Sequence, residues 1–227
     1  MTCTCNTNSQ MIANRLRENN VKFFCNDNIS KHLLPGEQDL ILAEVEQNMT
    51  AVLRSLVIDI ENDHNTAETA HRVAKMFVNE IFAGRYDYAP KITAFPNANS
   101  YDELYVTGPI TIRSTCAHHF QPISGKAYIG VFPGKKVIGL SKFNRIVDWI
   151  ASRPQIQEEM TVQIADAVQS ATEAEGIAVL IQAEHGCMTN RGVKEHDSDM
   201  TTSVLRGTLR DSIEQRQEFF SIVSRMK

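Results

Sequence analysis

Nowhere in the 227 residues is there a run of about 18 apolar side chains, so the sequence offers no candidate helix for crossing a bilayer. The start, MTCTCNTNSQ, lacks the basic region and apolar core of a secretory signal. Also missing is the strongly basic balance of a general nucleic-acid binder. Lys and Arg number 23 against 27 Asp and Glu, for a formal charge of −4. Five cysteines, an odd number in a mid-sized chain, do not read as a disulfide framework. No internal repeat or low-complexity tract is evident. What is present is a composition 42% hydrophobic and 22% charged, inside the globular range and too apolar for disorder. The length suits one large domain, or one domain with an appended helical arm. A cytoplasmic protein with neither membrane nor nucleic acid as partner is expected.

Periodicity divides the chain into three parts. Residues 1–35 read as a variable arm: their first 30 are polar, carry Cys3, Cys5 and Cys25, and keep no sustained period. Residues 36–98 read as a helical region. Leu42, Val45, Met49 and Leu56 mark an amphipathic helix from Gln38 to about Val57. Ala70, Val73, Phe77 and Ile81 mark another from about Ala67 to Ala83, with Asn65 or Thr66 as cap and Gly84 past its end. Residues 99–227 read as the catalytic domain. The period shortens to two over 104–115 and 125–132, where Ala127, Ile129 and Val131 alternate, which predicts strands. Ser141 is the predicted cap of a helix through Ile150 that Pro154 interrupts, and a second helix carries Met160 and Ile164 to Gly176. Strands at 177–184 and 202–209 and a short helix near 212–223 complete the order. Paired strands around paired helices predict an α+β fold, an antiparallel four-stranded sheet with two helices on one face.

Two clusters carry chemistry. Cys116-Ala-His118-His119 stands at a strand end, and His185-Gly-Cys187 just past another. Thiolate and imidazole ligands at two strand ends suit zinc, and two cysteines with one histidine leave an open fourth position, as in catalytic sites. Spacing does not choose between His118 and His119: strand alternation favours the first, a turn after Cys116 the second. The H-x-E and P-C-x-x-C pair of zinc deaminases is absent. The second cluster is cationic. Ser141, Lys142 and Arg145 lie at a helix start, where free N–H groups and the dipole favour anions. Arg191 and Arg72 could add charge, although any one of these side chains taken alone also suits a solvated surface. Gln157 and Glu158 fall in a helical first turn. Glutamate is common there, but a carboxylate can also accept both the N1–H and the 2-amino group of guanine.

CAHHFQPISGKAYIG, VIGLSKFNRIVDW, RPQIQEEMTVQIADA and HGCMTNRGV, preceded by TAETAHRVAKMFVNEIFAG, resemble in order and spacing the GTP cyclohydrolase I family over residues 38–223. The resemblance implies a tunnelling fold whose sheets close into a barrel in a homodecamer, with active sites between subunits. It implies zinc held by Cys116, His119 and Cys187, and acid–base work by His118 and His185. Glu158 with Gln157 would hold the guanine edge. Ser141, Lys142, Arg145, Arg191 and Arg72 would surround the triphosphate and ribose, Arg72 from a neighbouring subunit. The implied reaction converts GTP to 7,8-dihydroneopterin triphosphate with release of formate, through zinc-activated water attacking C8. One departure stands out: the family motif is Cys-Glu-His-His, and Ala117 occupies the glutamate position. It keeps open an alternative, a zinc-containing GTP- or pterin-binding paralogue with weak or altered activity. LRGTL at 205–209 departs from the family's Gly-Gly-x-Phe-like turn.

Overall fold

The structure, a computed structural model, describes residues 7–226; Cys3 and Cys5 lie outside the described residues. The chain forms two compact units, one ending at Tyr88 and the other beginning at Ala89.

The first unit is helical: α1 (Asn8–Glu18), α2 (Glu37–Ser55), α3 (Thr69–Met76) and α4 (Ala83–Tyr86). Where a variable arm is expected, α1 forms because Thr7 and Gln10 make a reciprocal capping box. Its only buried apolar side chains, Ile12 and Leu16, are one turn apart and pack with Ile29. The Arg15 guanidinium grips the Glu37 carboxylate at the start of α2 and holds its pKa below the ordinary range. The helix expected over 67–83 is broken. Phe82 N–H reaches back five residues to Phe77 O at 3.0 Å, so Phe77–Ile81 is a π turn between α3 and α4. The residue preceding α3 is Glu68, without a side-chain cap, and Gly84 sits inside α4.

The second unit contains β1 (Ala94–Pro96), β2 (Tyr105–Cys116), β3 (Pro122–Phe132), β4 (Lys136–Ile138), α5 (Leu140–Ala151), β5 (Pro154–Gln155) and α6 (Gln157–Thr172). It continues with β6 (Gly176–His185), α7 (Gly186–Thr189), β7 (Met200–Gly207), α8 (Thr208–Asp211) and α9 (Ile213–Met226). The main sheet runs β5-β2-β3-β6-β7, antiparallel except that β5 lies parallel to β2, and β1 pairs separately with β4. This is the expected α+β arrangement of four antiparallel strands, with two additions. A two-residue strand, β5, extends one edge, and the face away from α5 and α6 is partly covered by α9.

Alternation explains both faces. Ala127, Ile129 and Val131 of β3 point into a core with Phe143, Ile146 and Ile150 of α5 and Met160, Ile164 and Val168 of α6. Each isoleucine there is at most 3% exposed, and such burial contributes about 1.5–3 kcal/mol per side chain. On the other face Tyr128, Ala178 and Leu180 meet Phe219 and Val223 of α9. A Cβ on Gly130 would come within 2.6 Å of the Phe219 ring, so glycine is what lets that ring rest on the sheet.

Several boundaries differ from expectation. The residue before α5 is Gly139, in extended conformation, and Ser141 lies inside the first turn rather than capping it. The helix expected to reach Gly176 ends at Thr172, because Glu173 turns left-handed (φ 51°). The strand expected over 202–209 stops at Gly207, and Thr208–Asp211 coil into α8.

Candidate active site

One end of the sheet gathers most of the expected site residues. Cys116 ends β2, and residues 117–121 turn the chain into β3, closed by Phe120 N–H to Cys116 O (2.9 Å) and Cys116 N–H to Gln121 O (2.8 Å). Phe120 takes a left-handed conformation (φ 52°) to complete the turn. His185 ends β6 opposite Ile123, the second residue of β3, and Cys187 follows in α7. β5 pairs Gln155 with Cys116, which brings the start of α6, with Gln157 and Glu158, to the same end.

The thiols of Cys116 and Cys187 are in hydrogen-bonding contact. Burial first, and then the neighbouring Cys116, push the Cys187 thiol above its ordinary pKa, while Arg191 pulls the other way. His118 Nδ1 lies 3.8 Å from Cys116 Sγ, whereas His119 Nε2 lies 3.3 Å from Arg191 Nη1. Among the described residues, no three His, Cys, Asp or Glu side chains converge on one metal position. The donors nonetheless suit zinc in kind: two thiols already in contact, with two imidazoles on the turn that carries one of them.

His185 is half-buried. Burial lowers its pKa, and the Glu158 carboxylate opposes that shift. Its Nε2 lies 2.7 Å from Gln157 Oε1. Glu158 is exposed, but Gln157 is fully buried. The Gln157 Nε2 donates to Ile181 O (3.1 Å), Met200 O (2.9 Å) and Thr202 Oγ1 (3.1 Å). Its side-chain amide is turned into the protein.

Ser141 and Lys142 do not join this cluster within one chain. β3 carries the chain from the cysteine end to Phe132, and β4 leads into α5 at the far end. There Phe143, next to Lys142, meets the ring of Tyr105, the first residue of β2, at 6.4 Å. Tyr105 and Cys116 are the two ends of the twelve-residue β2, roughly 35 Å apart at the usual rise. Ser141 is exposed there, and Lys142 Nζ donates to Lys91 O at 3.1 Å. Arg145, one turn along, lines a cleft of 310 Å³ with Thr111, Arg113 and Asp148. Arg191 is the member of the set found beside the thiols. Arg72 is exposed on α3 of the first unit.

The family model described as GTP cyclohydrolase I matches residues 45–224. The chain belongs to the GTP cyclohydrolase I family. Curated relatives agree. The GTP cyclohydrolase 1 of Haemophilus ducreyi is 43% identical over 192 residues, 84% of this chain and 87% of that protein. The GTP cyclohydrolase 1 of Edwardsiella ictaluri is 45% identical over 191 residues, 83% and 86% of the two chains. Among solved structures, the apo archaeosine synthase QueF-Like aligns at a TM-score of 0.36 and 15% identity, over 53% of this chain and 97% of that one, too slight a likeness to inform this fold.

In this GTP cyclohydrolase I family member, the tertiary partners of the site residues escaped sequence reasoning. Thr202 and Thr161, 2.7 Å apart, stand behind Gln157, and only the neighbouring of β7 and α6 brings them together. Ala117 follows Cys116 with its N–H bonded to Gln155 O at 3.0 Å, so this position is pinned to β5 whatever side chain it bears.

Proposed function

We propose that this protein converts GTP to 7,8-dihydroneopterin triphosphate and releases formate. Family membership supports the reaction. The observation that carries the residue-level reading is the gathering of Cys116, Cys187, His118, His185 and Glu158 at one end of the sheet. Zinc would be held by Cys116, His119 and Cys187, and when bound it supplies a water activated for attack on C8 of the base. Both thiols give up their protons on binding it. Glu158, exposed at the start of α6, accepts from N1–H and the 2-amino group of guanine, a charge-assisted pair that fixes the base edge. His185, whose pKa burial lowers and Glu158 draws back up, exchanges protons with the opening purine, and His118 serves the opposite side. Imidazole suits repeated transfers because its pKa lies near operating pH.

Ser141, Lys142, Arg145, Arg191 and Arg72 take the triphosphate and ribose, so remote binding energy positions the base for reaction. In one chain Ser141 and Lys142 stand at the other end of the sheet from the thiols, so each site is completed by a neighbour's α5. This supports a homo-oligomer with interfacial sites, which we assign as a decamer whose sheets close into a barrel. No described helix is long and apolar enough to cross a membrane, in keeping with work in the cytoplasm on a soluble nucleotide.

Ala117 favours a second reading, a GTP- or pterin-binding protein with weak turnover. Incubation with GTP separates the two. Stoichiometric formate and a fluorescent oxidised pterin support the cyclohydrolase, and tight GTP binding without formate supports the paralogue.

A further inference from the structure

The hydrogen bonds around Gln157 can be given directions from chemistry alone. The carbonyl oxygens of Ile181 and Met200 only accept, so the amide group facing them at 3.1 and 2.9 Å is the NH2 end. The oxygen end therefore faces His185 Nε2, 2.7 Å away. An amide oxygen only accepts, so His185 Nε2 must carry a hydrogen. Behind the amide the two Nε2 hydrogens are shared among three acceptors, Ile181 O, Met200 O and Thr202 Oγ1, and the hydroxyl directions follow. Thr161 Oγ1 donates its one proton to Gln157 O at 2.7 Å. Thr202 then donates to Thr161 across 2.7 Å and accepts from Gln157 Nε2 at 3.1 Å. Gln157 is 0% exposed and Thr161 1%, so water does not compete for these partners.

We infer that Gln157 is a positioning residue that holds a hydrogen on His185 Nε2, leaving Nδ1 as the nitrogen that exchanges protons with the substrate. Thr202 and Thr161 are its supports. The inference deepens the proposed acid–base role of His185 and rests on it for its catalytic meaning, but the tautomer itself is independent of any activity. It also separates the two neighbours at the start of α6: Glu158 faces outward to the base, and Gln157 faces inward to the histidine.

A spectroscopic measurement tests the lock directly. In the zinc-loaded full-length protein labelled with ¹⁵N-histidine, and assigned by comparison with His185→Gln, the neutral ring should show a protonated Nε2 and an unprotonated Nδ1. A protonated Nδ1 with a bare Nε2 would overturn the inference, whether or not GTP is turned over. Kinetics give the second arm. Gln157→Met keeps the volume and removes the acceptor, and loss of such a supporting partner typically costs about 10–100-fold. The loss should fall on kcat, with KM for GTP and the preference for GTP over ITP unchanged. The milder Thr202→Val should lower kcat a few-fold in the same manner. A raised KM with intact kcat, or a collapsed GTP preference, would instead make Gln157 a guanine contact and refute the positioning role.

Discussion

Gly125 of β3 faces Ala183 of β6 in register, one side-chain step from the pairing of Ile123 with His185. A Cβ built on Gly125 would lie 2.2 Å from Gln182 O, 2.5 Å from Ala183 Cα and 2.6 Å from Ala183 Cβ. Ordinary contact begins near 3.4 Å, so Gly125→Ala requires β6 to retreat by about 1 Å. The blocking atoms are mainly backbone and cannot swing aside. Overpacking of this kind destabilises by about 1–3 kcal/mol, which for a chain of this size corresponds to a Tm loss of roughly 2–12 °C. The larger effect should be catalytic. The displaced strand carries His185 two residues later and Ile181 O, a support of Gln157, two residues earlier. A misplacement of about 1 Å can cost about 10²-fold, or roughly 2.7 kcal/mol of barrier. The assay is steady-state formate release at saturating GTP, with zinc content and Tm measured on the same preparation. Gly139→Ala serves as the stability control, since nothing lies within 4 Å of its Cβ position. Parent-like turnover and Tm in Gly125→Ala would refute the claim that this close approach sets the position of His185.

Cys187→Ser should lose both bound zinc and activity, and elemental analysis showing full occupancy would remove Cys187 from the ligand set. Glu158→Ala should leave guanine N–H donors unpaired, lowering kcat/KM for GTP by about 10²-fold; a variant that still prefers GTP to ITP as strongly as the parent would exclude the recognition role. Ala117→Glu, which restores a carboxylate between Cys116 and His118, should raise formate release by up to about 10–100-fold at full zinc loading. Unchanged or lower turnover there would show that the carboxylate is not limiting.

Much of the second unit was legible because burial on one face imposes a period. Ala127, Ile129 and Val131 announced β3, and Met160 and Ile164 announced α6, since each faces the apolar core. The first unit was less legible. α1 buries only Ile12 and Leu16, too few positions to make a period, and it depends on a cap that any polar stretch could contain. The π turn at Phe77 left no trace because its sequence continues the helical stripe unbroken. At the site, ligand types and spacing pointed to the cysteines and histidines. The inward turn of Gln157 was invisible, since adjacent residues in a helical first turn diverge and only the packing of β7 against α6 decides which is buried. The separation of Ser141 and Lys142 from Cys116 was hidden for the same reason: topology, not sequence distance, puts the start of α5 at the far end of the sheet.

That separation has a genetic consequence. If the cysteine half and the lysine half of every working site come from different chains, two inactivating lesions need not lie in the same site. A Lys142→Ala chain still offers intact thiols, and a Cys187→Ser chain still offers an intact α5. Each alone should be inactive, yet subunits of the two kinds mixed by unfolding and refolding, or made together in one cell, should form some interfaces where both halves are whole. Activity would then reappear from two dead proteins, in proportion to how often unlike neighbours meet.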